Sequence, residues 1–191
     1  MKTLSFNLFI LLLVSAFPRP GISQRTSGES AFEKNIILVD LQTGIGWYKE
    51  RNFLTTRAPL FLGADYGISE VLSLGVFGGW NQRTYKNPQY PQFDVNFYFY
   101  GGRCSIHATR WLNEHTILKF NPAKVDAYFS VWAGRQQTNR IFLSGGSLIK
   151  TRSILGAVIG VRMYSMYNVG FLVEIGPGPY GLINLGICGK F

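Results

Sequence analysis

Six charged side chains could do chemistry together if one fold brought them to one place: Asp40, Asp65, Arg103, Asp126, Arg162 and Glu174. Each lies on the small or polar side of a segment whose alternate residues are apolar, so all six would point the same way, with Lys190 as a further base. Four acids against two or three bases is close to balanced. Held inside a fold these groups must pair, because an unpaired buried charge costs on the order of several kcal/mol. The structural reading is a network of ion pairs filling an interior. The functional reading is a gated path for ions. Ser105 and His107 sit two apart on the same side, with Ser130 on the matching side of a later segment. A serine, a histidine and an acid are the groups of nucleophilic acyl transfer. Spacing fixes no third residue and Ser-x-His is common by chance, so no catalytic residue, metal ligand or cofactor is assigned.

A second set of bases lies between or at the ends of the alternating segments: Lys49, Arg51, Arg57, Lys86, Arg135, Arg140, Lys150 and Arg152, against Glu50 and Asp94. Bases at one height could pair with phosphate groups. They are spread over separate connections and carry no nucleic-acid-binding motif, so nucleic acid is not a predicted partner. The two cysteines, Cys104 and Cys188, fall on opposite faces of distant segments, which excludes a bridge between them.

The elements that must position these residues alternate with period two. Eight segments do so, at about 36–49, 58–68, 72–83, 96–112, 125–136, 154–164, 169–176 and 181–191. In the fourth, Tyr98, Tyr100, Cys104 and Ile106 oppose Gly101, Arg103, Ser105 and His107. In the sixth, Leu155, Ala157, Ile159, Val161 and Met163 oppose Gly156, Gly160, Arg162 and Tyr164. Connections of three to four residues at 69–71 and 165–168 alternate with longer ones at 50–57, 84–95 and 137–153. The connection at 113–124 is long for its side.

Composition agrees. The chain is 47% hydrophobic and 15% aromatic but only 15% charged, with 22 glycines; a soluble domain carries about 25% charge. Met1 to Ser23 reads as a cleaved signal peptide: Lys2, an apolar run from Leu4 to Phe17, Pro18 and Pro20, then Gly21-Ile22-Ser23 before a cut. Its loss removes Lys2 and Arg19, so the formal charge falls from +9 to +7, and leaves 24–191 as one domain. Residues 24–34 are polar and predict a short lead-in.

Alternation alone fits a barrel of either sense. In a soluble lipocalin-like barrel the apolar face turns inward, around a lipophilic ligand. Here the polar face is mostly Gly, Ser, Asn and Tyr with a few acids and bases, which suits a narrow filled lumen better than a water-facing surface. Trp47, Trp80, Tyr98 and Tyr100 would then form interfacial girdles.

The last residues, Gly181 to Phe191, put Ile183, Leu185, Ile187 and the terminal Phe191 on one face, broken at Gly189. With the signal peptide and the eight segments, this closing strand resembles that of the small eight-stranded outer-membrane barrels of the OmpX/OmpA type. The resemblance implies an all-β, antiparallel, up-and-down transmembrane barrel in a bacterial outer membrane. It implies Phe191 as the insertion signal read by the barrel-assembly machinery. It also makes membrane lipid and lipopolysaccharide the partners, the latter through Arg51, Arg57, Arg135, Arg140, Lys150 and Arg152, with an extracellular partner reached by the loops. The predicted role is structural or interactive, not enzymatic. The alternatives are a narrow channel, a lipid A-modifying acyl enzyme, and the soluble binder above.

Overall fold

The computed structural model describes residues 30–45, 53–87, 90–117, 119–141, 146–165, 168–177 and 181–191, without the side chains of 53–56, 86, 87 and 90–92. The signal peptide, Trp47 and Arg51 lie outside the described residues. The strands are β1 (Ile37–Ile45), β2 (Phe53–Gly67), β3 (Leu72–Asn87), β4 (Tyr90–His107), β5 (Val125–Ile141), β6 (Ser147–Tyr164), β7 (Val169–Ile175) and β8 (Ile183–Lys190), with one short helix, α1 (Thr109–His115), between β4 and β5.

Every strand pairs antiparallel with its neighbours, and β8 returns to β1, so the sheet is a closed ring. The seam runs from Leu38↔Lys190 to Ile45↔Ile183. Phe191 seals its lower end: Ile37 N donates to Phe191 O at 3.0 Å and Phe191 N to Ile37 O at 2.9 Å. A closed ring leaves no unpaired edge in the membrane, where an unpaired backbone group has no water to satisfy it.

The two faces have opposite polarity. Asp40, Asp65, Ser73, Arg103, Ser105, Asp126 and Arg162 are buried inside, while Leu60, Leu62, Leu74, Val76, Leu155, Ile159 and Phe171 are exposed outside. This is the inverse of a water-soluble protein, and it overturns the lipocalin-like alternative. The apolar belt has a clear upper limit. The row Leu62, Gly78, Tyr100, Arg135, Ser153 is the last below a polar outer surface; the row above runs Leu60, Trp80, Tyr98, Gln137, Thr151. Arg57 lies over the Trp80 ring at 5.5 Å.

The structure corrects the element boundaries in three places. Much of the segments 50–57, 84–95 and 137–153, predicted as loops, is paired strand: the ladder runs through Phe53↔Tyr85 to Arg57↔Gln82, through Thr84↔Asp94 and Tyr85↔Phe93, and through Gln137↔Thr151 to Ile141↔Ser147. Above the belt neither face meets lipid, so the alternation that marks a strand is lost while the backbone pairing persists. The fourth strand ends at His107, not 112. Ala127 N is taken by the Thr109 hydroxyl at 2.6 Å, and the chain turns into α1, closed by Thr116 N and Oγ1 donating to Leu112 O. The long connection 108–124 is long because it holds this helix. Below it, Asn113 clamps Phe120 through both amide atoms at 2.8 and 2.9 Å. The third correction concerns the lead-in. Ala31, Phe32 and Ile36 are buried, and Ala31 N donates to Pro122 O, so this segment folds under the barrel and narrows its lower mouth, where a cavity of about 530 Å³ lies between Phe32, Glu70, Arg110 and Trp111.

Candidate functional site

The lumen residues come from all eight strands, yet most of the charges meet in one network. Arg103, on β4, reaches three carboxylates. It donates from Nε to Asp65 Oδ1 at 2.9 Å and from Nη2 to Asp65 Oδ2 and Asp40 Oδ2, both at 2.6 Å; Nη1 is 3.7 Å from Glu174 Oε1. Arg162, on β6, donates to Asp65 Oδ2 at 3.1 Å and Asp126 Oδ2 at 3.0 Å and lies over the Tyr128 ring at 4.0 Å. Tyr128 donates to Glu174 Oε1 at 2.7 Å. Thus all six of the charges placed together from the sequence lie in one place. Lys190 stands apart, with its ammonium 5.0 Å from the Tyr164 ring. Glycines make the room. A Cβ on Gly63 would fall 2.7 Å from Asp40 Oδ1 and 2.8 Å from Arg103 Nη2, and one on Gly160 would strike the Tyr128 ring.

Ser105 and His107 do not meet. Ser105 pairs with Ser130 at 2.6 Å. His107 instead holds Ser73, with 2.9 Å between Nε2 and Oγ, and Asp126, with 2.8 Å between Nδ1 and Oδ1. The order serine, histidine, aspartate matches that of an acyl-transfer triad, but Ser73 is 0% exposed. Phe32 covers the ring, its centroid 3.3 Å from that of His107 and nearly parallel. A nucleophile sealed from any ester has no substrate, and Asp126 is already bonded to Arg162. Ser73, Tyr128, Gln42 and Asn184 complete the network and were legible as polar residues of the lumen side. Phe32 carried no sequence signal.

Above the charges the lumen changes character. Phe61, Phe77, Phe99 and Trp132 form a buried aromatic cluster, with Phe97 and Ile154 against it. Phe77 and Trp132 pack edge-on at 5.9 Å, as do Phe61 and Phe99 at 6.1 Å. The interior is therefore stoppered at both ends: aromatic side chains above, the Phe32 segment below.

No protein family and no curated protein matches the chain by sequence. Its architecture does match solved structures. The N-terminal β-barrel domain of Pseudomonas aeruginosa OprF aligns with 83% of this chain and 98% of its own at TM-score 0.50 and 13% identity. Neisserial surface protein A aligns with 82% of this chain and 96% of its own at TM-score 0.52 and 14% identity. The fold is that of the small eight-stranded outer-membrane barrels. Within that fold the six outer bases separate. Arg57 and Arg135 project outward at the top of the apolar belt. Arg140, Lys150 and Arg152 are exposed on the lumen-side parity of the β5–β6 hairpin, and Arg152 donates to Gln136 Oε1 at 2.9 and 2.7 Å. Cys104 is exposed on the outer face and Cys188 buried inside, both as free thiols. Among the described residues no group of three or more His, Cys, Asp and Glu is disposed to hold a metal ion.

Proposed function

We propose that this protein is a non-conducting outer-membrane anchor that displays a β-sheet beyond the membrane for contact with an extracellular surface. One observation carries the reading: strands β3 to β6 stay paired well past the belt, while β7 and β8 stop at Ile175↔Ile183. From Trp80 to Asn87 β3 adds seven residues, about 20 Å of strand. The far edge of this sheet is β6. Above the belt, among the described residues, Ser147–Arg152 has β5 as its only ladder partner. Leu148 and Ile149 are 52% and 58% exposed there. An open edge beside exposed apolar side chains is the surface to which an extended segment of another protein adds a strand. Arg57 and Arg135, at headgroup height beside Trp80, Tyr98 and Tyr100, suit the phosphates of lipopolysaccharide. Phe191, bonded to Ile37, suits the role of insertion signal, with the signal peptide supplying export. The channel alternative is disfavoured by the two stoppers, and the acyl-enzyme alternative by the sealing of Ser73.

Intact cells expressing the full chain provide the test. Surface biotinylation should reach Lys150 without lysis. In the outer-membrane fraction the unboiled band should shift from the boiled one on a denaturing gel. Soluble, unshifted protein, or Lys150 labelled only after lysis, would refute the reading.

A further inference from the structure

Between the charge network and the aromatic cluster lies a cavity of about 20 Å³, lined by Asp40, Gln42, Arg103, Glu174, Asn184 and Trp132 among others. That is room for one particle the size of a water molecule. Two amides define its chemistry. Gln42 donates from Nε2 to Asp40 Oδ1 at 2.7 Å, and Asn184 from Nδ2 to Glu174 Oε2 at 3.2 Å. A carboxylate can only accept, so both amides are fixed in orientation and neither can be flipped. Their carbonyl oxygens, Gln42 Oε1 and Asn184 Oδ1, are left buried with no donor, on side chains 3% and 1% exposed. Two such acceptors lining one enclosed cavity are costly unless a donor or a cation satisfies both.

The surrounding charge points the same way. Asp40, Asp65, Asp126 and Glu174 share two guanidinium groups, each already divided between carboxylates. Of the other basic side chains on the lumen side, His107 and Lys190 lie at the lower end, against Phe32 and Tyr164, and Arg83 lies at the upper end, over the Phe97 ring at 4.9 Å.

We infer that this cavity is a site for one alkali cation, Na+ by size, held by Gln42 Oε1 and Asn184 Oδ1 with Asp40 and Glu174 as its counter-charge. Carbonyl oxygens are the ligands that replace the hydration shell of such an ion, and an all-oxygen set without cysteine or histidine excludes a soft metal. The ion sits above Arg103, whose charge the carboxylates on either side screen.

The test is thermal unfolding of the refolded full chain in sodium chloride and in choline chloride at matched ionic strength. Choline is too large for the cavity. The midpoint should rise by about 3–5 °C for each tenfold increase in Na+ above the dissociation constant and stay flat in choline. Gln42→Met and Asn184→Leu should each abolish the Na+ dependence; if the second fails to fold, the first decides. Broadening of the 23Na resonance by the wild type, and its loss in Gln42→Met, should accompany the shift. Equal midpoints in the two salts would overturn the proposal and leave the cavity to a neutral water.

Discussion

Arg103 on β4 and Asp40 on β1 meet at 2.6 Å inside the ring, from strands 63 residues apart in sequence. Both are buried. The same guanidinium also takes both oxygens of Asp65, so one side chain ties three strands across the lumen. The strands themselves are held by backbone bonds that any sequence could make. The contacts across the lumen are specific to this one.

Removing that tie should be the most damaging lumen substitution. Arg103→Met leaves Asp40 and Asp65 buried with one guanidinium fewer, and breaking a buried pair from one side costs about 3–5 kcal/mol. Urea unfolding of the refolded protein should show a lower midpoint of that size, and Arg162→Met a loss of the same order. A midpoint within error of wild type in both variants would contradict the network.

Phe32→Ala should open the lower mouth. Loss of a buried aromatic ring costs about 3 kcal/mol, and His107 becomes reachable. Histidine-directed acylation, read by peptide mass spectrometry, should rise at His107 and stay unchanged at the exposed His115. Equal protection of His107 in both proteins would mean that Phe32 does not cover it.

Ser73→Ala should leave the lipid A profile of expressing cells as it is in wild type. It should lower stability by about 1 kcal/mol, the worth of the lost bond to His107. A change in lipid A on this substitution would show that the serine is reached by a lipid after all.

In planar bilayers the wild type should give no resolvable single-channel steps. Trp132→Ala, which removes the largest member of the upper cluster, should give rare, brief openings. Steady conductance from the wild type would restore the channel reading.

The two glycines Gly160 and Gly189 should respond unequally to alanine. A Cβ at Gly160 collides with Tyr128, while one at Gly189 comes no nearer than 3.2 Å, to the outer edge of the exposed Phe191 ring. Gly160→Ala should lower the midpoint by about 1–3 kcal/mol, and Gly189→Ala should be neutral within about 0.5 kcal/mol.

The spanning part of the barrel was legible because lipid and lumen impose opposite polarity on successive residues. Asp40 against Leu41, or Arg103 against Cys104, declares its face at once. Above the belt that contrast disappears, and with it the sign of the strands through Thr84–Asp94 and Gln137–Thr151, whose backbone pairing continues without it. All six lumen charges were readable as a group from parity, but not as pairs, since pairing depends on shear around the ring. Thus the serine beside His107 is Ser73, from the neighbouring strand, and not Ser105, two residues away. Phe32 was hidden for another reason: one aromatic residue in a polar stretch has no period, and only the closed ring shows that a mouth needs filling.

The unequal strand lengths give the molecule a front and a back. On the side of β7 and β8 the ladder ends low, at Ile175 and Ile183; opposite, β2 to β6 stand tall. In a crowded membrane, neighbours can slide close against the low side without meeting the sheet, whereas a visitor from outside meets one flank only. Rotation about the membrane normal therefore governs which contacts are open at any moment. A partner that fixes that rotation would convert a freely turning cylinder into an oriented one, and rows of such barrels could line up their tall sides.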